Sequence, residues 1–148
     1  LVLELPDSPG VVGSAGRVAP QQQASLRASR RPMRILVVDD EAAIRTVVKR
    51  VLEGCGHRVQ VAVDGQAAAA LVDAHGFDLI LCDVRMPNLS GPELFARIQR
   101  RDLASPPRFV VMTGDIADAE THGFVTRSGV RVLLKPFELR DLVAAVDG

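Results

Sequence analysis

The sequence predicts an α/β fold, a five-stranded parallel sheet in the order 2-1-3-4-5 with helices on both faces. Three observations carry this reading. Between Met33 and Val146, short apolar runs alternate with segments of helical periodicity. Ile35–Val38, Leu79–Cys82 and Phe109–Met112 are continuously apolar, as strands buried on both faces must be, and so belong at the centre. The other two runs differ: Val59, Val61 and Val63 alternate with polar or small residues, and Val130–Leu134 carries Arg131, which suits edge strands. Right-handed crossovers then favour the stated order, although the patterns alone leave the three central strands unordered.

The elements follow in turn. After Ile35–Val38, the residues Ile44, Val47, Val48, Val51 and Leu52 recur at helical spacing, and Gly54 ends that helix. Val59–Val63 is a half-buried strand closed by the turn Asp64-Gly65. Gln66–Ala74 is an alanine-rich helix ending at His75-Gly76, and Leu79–Cys82 follows as a strand that ends in Asp83. Ser90 and Glu93 have capping-box spacing ahead of Leu94, Phe95 and Ile98, and Pro106-Pro107 breaks that helix. Phe109–Met112 ends in Thr113-Gly114-Asp115, Ala117–Arg127 is a weak helix with Gly123 inside it, and Val130–Leu134 ends in Lys135-Pro136. Leu139, Leu142, Val143 and Val146 mark the last helix.

Composition excludes several classes. The 148 residues are 47% hydrophobic and 24% charged, ordinary for a globular protein. Eighteen basic residues balance eighteen acidic ones, so no net charge draws the chain to nucleic acid or to an anionic membrane. No apolar run approaches a membrane span. Cys55 and Cys82 lack metal-ligand spacing and read as reduced thiols, which points to a cytoplasmic location for this segment, whether or not its parent is membrane-anchored. Residues 1–32 are rich in Pro, Gly, Gln and Ser and read as a flexible linker, with the domain proper at 33–148. A chain beginning with Leu1 reads as a piece of something longer.

The strand ends carry the chemistry. In this order Asp39 and Asp40, Asp83, Thr113 and Lys135 meet along one edge of the sheet, where doubly wound folds place their sites. Singly, each has an ordinary role: Asp39 or Glu41 as a helix cap, Asp83 as a turn residue, Thr113 as a strand-end hydroxyl, Lys135 as an edge charge. Together they form a coherent site. Three crowded carboxylates repel one another unless a cation lies among them, and an all-oxygen set suits Mg²⁺ with a phosphate oxygen. A lysine opposite supplies a second positive charge, and a threonine hydroxyl can hydrogen-bond a phosphoryl oxygen.

Val37-Val38-Asp39-Asp40-Glu41, Leu81-Cys82-Asp83-Val84-Arg85-Met86-Pro87, Thr113-Gly114 and Lys135-Pro136-Phe137 together resemble the receiver domain of two-component response regulators, over about Arg34–Asp147. The resemblance implies a flavodoxin-like fold and a phosphoacceptor, Asp83. It also implies that Asp40, Asp83 and the Arg85 carbonyl bind Mg²⁺, with Asp39 supporting the metal directly or through water. Thr113 would be the switch hydroxyl, Lys135 the partner of the acidic site, and Arg85 and Asp115 the side chains that tune phosphoryl lifetime. The Lys135–Pro136 bond would be cis. The implied partner is the phosphohistidine of a histidine kinase or of a histidine phosphotransfer protein, and a weak homodimer is a further option.

One position departs from the pattern: Val132 stands where such domains often carry a switch Tyr or Phe. Thr113-Gly114-Asp115, Gly123-Phe124 and Gly129–Phe137 are most similar to receivers at the C-terminus of hybrid sensor histidine kinases. Leu1–Pro6 also looks like the last strand of a kinase ATP-binding domain, so a hybrid kinase is the expected parent, with a free-standing regulator as the alternative. Two rivals fit less well. A haloacid-dehalogenase-like phosphatase needs a nucleophile-first DxD and a cap domain, and a degenerate docking receiver would have lost one of the acidic, Thr or Lys residues.

Overall fold

The computed structural model describes residues 31–148, of which Pro32–Gly148 form one compact unit. The expected linker, and the strand suggested at Leu1–Pro6, lie outside the described residues except for Arg31 and Pro32. Strands and helices alternate: β1 (Arg34–Val38), α1 (Ala42–Gly54), β2 (Arg58–Ala62), α2 (Gly65–Ala74), β3 (Leu79–Asp83), α3 (Gly91–Arg100), β4 (Arg108–Thr113), α4 (Ala119–Ser128), β5 (Arg131–Leu134) and α5 (Leu139–Asp147). The sheet is parallel throughout, in the order β2-β1-β3-β4-β5. The fold class and both edge strands are as the sequence predicts.

Alternation along each central strand divides the core in two. Leu36, Val38, Ile80, Cys82, Phe109 and Val111 face α2, α3 and α4. Ile35, Val37, Leu79, Leu81, Val110 and Met112 face α1 and α5. Because β1, β3 and β4 are covered on both sides, their apolar runs are unbroken. On the first face the rings of Phe95, from α3, and Phe109, from β4, meet edge-on at 5.2 Å, and Phe95 also meets Phe124 of α4 at 5.5 Å.

The β2 strand corrects the expected pattern. Val59 is buried, but Val61 is 37% exposed and Val63, just past the strand, 51%, while Ala62 is buried on the other face. Alternation fixes which side a residue faces, not how far a helix covers an edge. α1 covers the strand at Val59, where Lys49 Nζ reaches the Val59 carbonyl at 3.3 Å, and leaves Val61 and Val63 out.

Helix starts show why the sequence folds as it does locally. Ser90 and Glu93 form the expected capping box on α3, with Glu93 N to Ser90 Oγ at 3.3 Å and Ser90 N to Glu93 Oε1 at 2.8 Å. Asp64 caps α2 through the Ala67 N–H at 2.8 Å, and its other oxygen accepts from Asn88 Nδ2 at 2.8 Å. That bond ties the loop after β3 to the start of α2. Asn88 itself sits at φ 73°, a conformation Asn tolerates better than most residues.

Two glycines let this loop lie close. A Cβ on Gly65 would fall 1.9 Å from the Leu89 carbonyl oxygen, and one on Gly91 would fall 2.7 Å from that of Asp83. Both positions therefore require glycine for contact, not for φ. Gly91→Ala should cost about 1–3 kcal/mol, in the range of overpacking, read as a lower urea midpoint at unchanged slope. A midpoint equal to wild type would show that the loop yields freely.

Candidate functional site

Register places the strand ends level. Val38 pairs with Cys82, Asp83 with Met112 and Thr113 with Leu134, so Asp39, Asp83, Thr113 and Lys135 emerge side by side. Lys135 N donates to the Thr113 carbonyl at 2.7 Å, which carries the β4–β5 ladder one step past the strand. The Lys135–Pro136 peptide bond is cis.

The Lys135 ammonium lies among three acidic side chains. Its Nζ is 2.7 Å from Asp39 Oδ2, 3.3 Å from Asp83 Oδ2 and 3.4 Å from Glu41 Oε1. Asp39 is fully buried, and its second oxygen accepts from the Glu41 N–H at 2.9 Å. Arg45 reaches back to the Asp39 carbonyl at 2.8 Å. A buried carboxylate with both oxygens bonded is fixed in place. Asp40, one residue on, is exposed and makes no ion pair among the described residues. The two adjacent aspartates thus differ in kind, one held and one free to turn.

Carboxylate oxygens of Asp39, Asp40 and Asp83 all lie within 4.8 Å of one another. Opposite ligands of a Mg²⁺ ion are about 4.2 Å apart, twice its bond to oxygen. Small side-chain rotations therefore suffice, and the residues present fit the ion. Of the expected ligands, these three come together, and Arg85 follows two residues after Asp83.

Burial is the main cause that raises Asp83 above the ordinary carboxylate value of 3.8, and Asp39 adds to it; Lys135 opposes the rise and is outweighed. Burial works against the Lys135 ammonium, yet Asp39 and Asp83 more than offset it and its net shift is upward.

Thr113 is buried, and its Oγ1 accepts from the Asp115 N–H at 3.1 Å. Asp115 is exposed, and its Oδ1 accepts from the N–H groups of Ala117 and Asp118, each at 3.1 Å. Val132 is half-buried against the core face of α2, α3 and α4. The Arg85 guanidinium does not lie over Asp83; it is ion-paired with Asp118, the N-cap of α4. That pair holds the guanidinium above its usual range.

Sequence reasoning missed Asp118 and the role of Glu41 as a Lys135 partner. The spacing Asp118-x-x-Thr121 is an N-cap signal that starts α4 at Ala119 and not Ala117. Nothing in the sequence pairs Asp118 with a residue 33 positions away.

The response regulator receiver domain family matches residues 35–147. The chain belongs to that family. The receiver is 36% identical over 122 residues to the transcriptional regulatory protein TrcR of Mycobacterium tuberculosis, a match covering 82% of this chain and 47% of TrcR. It is 29% identical over 140 residues to the transcription factor SKN7 of Saccharomyces cerevisiae, covering 95% of this chain and 22% of SKN7. Its fold is similar to that of the chemotaxis response regulator CheY4 of Vibrio cholerae, with TM-score 0.72, 27% identity, and 79% of this chain and 98% of that one covered. The receiver therefore spans half or less of the length of these transcriptional relatives but nearly all of CheY4.

The raised value of Asp83 makes the stability of the metal-free receiver depend on pH. Its folded form binds this proton more tightly than the unfolded chain does, so its contribution to stability is present below 3.8 and is lost as pH rises through the raised value. Asp83→Asn should accordingly be more stable than wild type at neutral pH in chelator, with the gain shrinking in acid where Asp83 protonates. Urea unfolding at both pH values tests this, and a destabilised Asn variant at neutral pH would contradict it.

Proposed function

We propose that this segment is the phosphoacceptor of a two-component phosphorelay, taking a phosphoryl group from a phosphohistidine onto Asp83. The observation that supports it is the meeting of Asp39, Asp40 and Asp83 with Lys135 at the ends of separate strands. A site built only for stability would not gather carboxylates at cost to one of them.

In this reading an Asp83 oxygen attacks phosphorus in line, the bond from phosphorus to the histidine nitrogen breaks, and its electron pair stays with the imidazole. Lys135, 3.3 Å from Asp83, meets the negative charge on the phosphoryl oxygens. Asp39 keeps that ammonium aimed, because it is buried and bonded on both oxygens. The Thr113 hydroxyl turns from the Asp115 N–H to a phosphoryl oxygen. Asp40, Asp83 and the Arg85 carbonyl would hold Mg²⁺, with Asp39 behind them, and the ion would neutralise charge on the transferred group. Water later frees Asp83, passing the side chains at Arg85 and Asp115. The domain so described occupies 33–148.

The transcriptional relatives favour a response-regulator parent, in which phosphorylation here controls a DNA-binding segment elsewhere in the protein. The hybrid-kinase parent rests on the motif similarities and on Leu1–Pro6. An ATP-binding kinase domain encoded upstream of Leu1 would decide for the hybrid. Among the described residues no helix is long and apolar enough to cross a membrane.

Incubation with acetyl phosphate and Mg²⁺ should add one phosphoryl group by intact mass, and Asp83→Asn should abolish it. Labelling of that variant at another residue would refute the assignment. Asp40→Ala should weaken Mg²⁺ binding about tenfold or more while the fold persists, since a crowded carboxylate has been removed. A titration matching wild type would remove Asp40 from the metal's ligands.

A further inference from the structure

Arg85 joins two parts of the molecule. Its backbone N–H faces the Asp83 carboxylate, and its guanidinium is paired with Asp118 Oδ1. Asp118 is itself anchored: Oδ2 accepts from the Thr121 N–H at 2.9 Å and from the Thr121 hydroxyl at 3.0 Å, and Thr121 is buried. The guanidinium is therefore attached to the first turn of α4, not to the acidic site two residues before it. The attachment is weak, because the Arg85 side chain is 67% exposed and that of Asp118 21%, and water and salt screen such pairs.

We propose that Asp118 is a positioning residue that holds the Arg85 guanidinium off Asp83, and that a phosphoryl group on Asp83 competes with Asp118 for it. The proposal rests on the reading of Asp83 as phosphoacceptor. Unmodified Asp83 is one carboxylate already facing Lys135. A phosphoryl group adds charge and acceptor oxygens whose geometry matches the guanidinium fork. Asp118 still draws on the guanidinium after Asp83 is modified, so the two share it and the phosphoryl group is covered only part of the time.

The transfer has two effects. The guanidinium comes to lie over the phosphoryl group and blocks water. In hydrolysis the water oxygen bonds to phosphorus, and the phosphorus–oxygen bond to Asp83 breaks with its electron pair returning to the carboxylate. Inorganic phosphate and a proton leave. Arg85 over the phosphorus slows that step. The N-cap of α4 meanwhile loses its cationic partner while keeping Thr121. Occupancy of the site thus reaches α4 by a route that does not pass through Val132.

The test follows loss of the phosphoryl group by intact mass after acetyl phosphate is removed. Asp118→Asn and Asp118→Ser each keep an oxygen to accept from the Thr121 N–H but remove the charge. Both should lengthen the phosphoryl half-life, by roughly threefold or more for a coupled pair. The gain should vanish when Arg85→Ala is added. Half-lives equal to wild type, or lengthened by the same factor in the Arg85→Ala background, would overturn the proposal. A wild-type protein that takes up no phosphoryl group at Asp83 would overturn the phosphoacceptor reading, and this one with it.

Discussion

The Lys135 ammonium, 2.7 Å from Asp39 and 3.3 Å from Asp83, permits separate strands to deliver carboxylates to one place. Asp39 is wholly buried, and an ionised carboxylate there would be untenable alone. Removing one partner of such a pair typically costs about 3–5 kcal/mol, because the other is left charged and dry. The rest of the edge follows from this contact. It fixes where β5 must end relative to β1, although β3 and β4 lie between them, and it leaves Asp40 uncommitted. The same ion pair therefore organises the sheet edge and prepares a site.

Most of the fold was legible because each central strand is apolar along its whole length and ends abruptly in a polar residue. Val38-Asp39, Cys82-Asp83, Met112-Thr113 and Leu134-Lys135 each state both a strand and the polar end that reaches the candidate site. A parallel sheet brings such ends together whatever the loops do. What was not legible depends on loop conformation. Asn88 meets Asp64 from 24 residues away, and neither residue announces the other. Arg85 follows Asp83 in the sequence, but its direction is set by Asp118, which the apolar pattern puts inside a helix from Ala117 and the structure puts at the N-cap. The misreading of Val61 and Val63 has a different cause. A period of two describes a strand, whereas burial also depends on how much of that strand its helix covers.

The two faces of the sheet are unequal in what they support. α1 and α5 cover Ile35, Val37, Leu81 and Met112 with aliphatic side chains alone in the fully buried layer. The opposite face carries the loop after β3, pinned by Gly65, Gly91 and Asn88, together with α4 and its charged cap. The Arg85–Asp118 pair beside Asp83 belongs to that second face.

The ring of Phe95 touches Phe109 of β4 and Phe124 of α4 edge-on at once. Each such contact is directional and worth about 0.5–1.5 kcal/mol beyond burial. Close-packed interiors pass displacement on in preference to absorbing it. A shift of Phe124 is therefore felt first at Phe95. The three rings thus link α4 to α3 and to β4 through a single side chain.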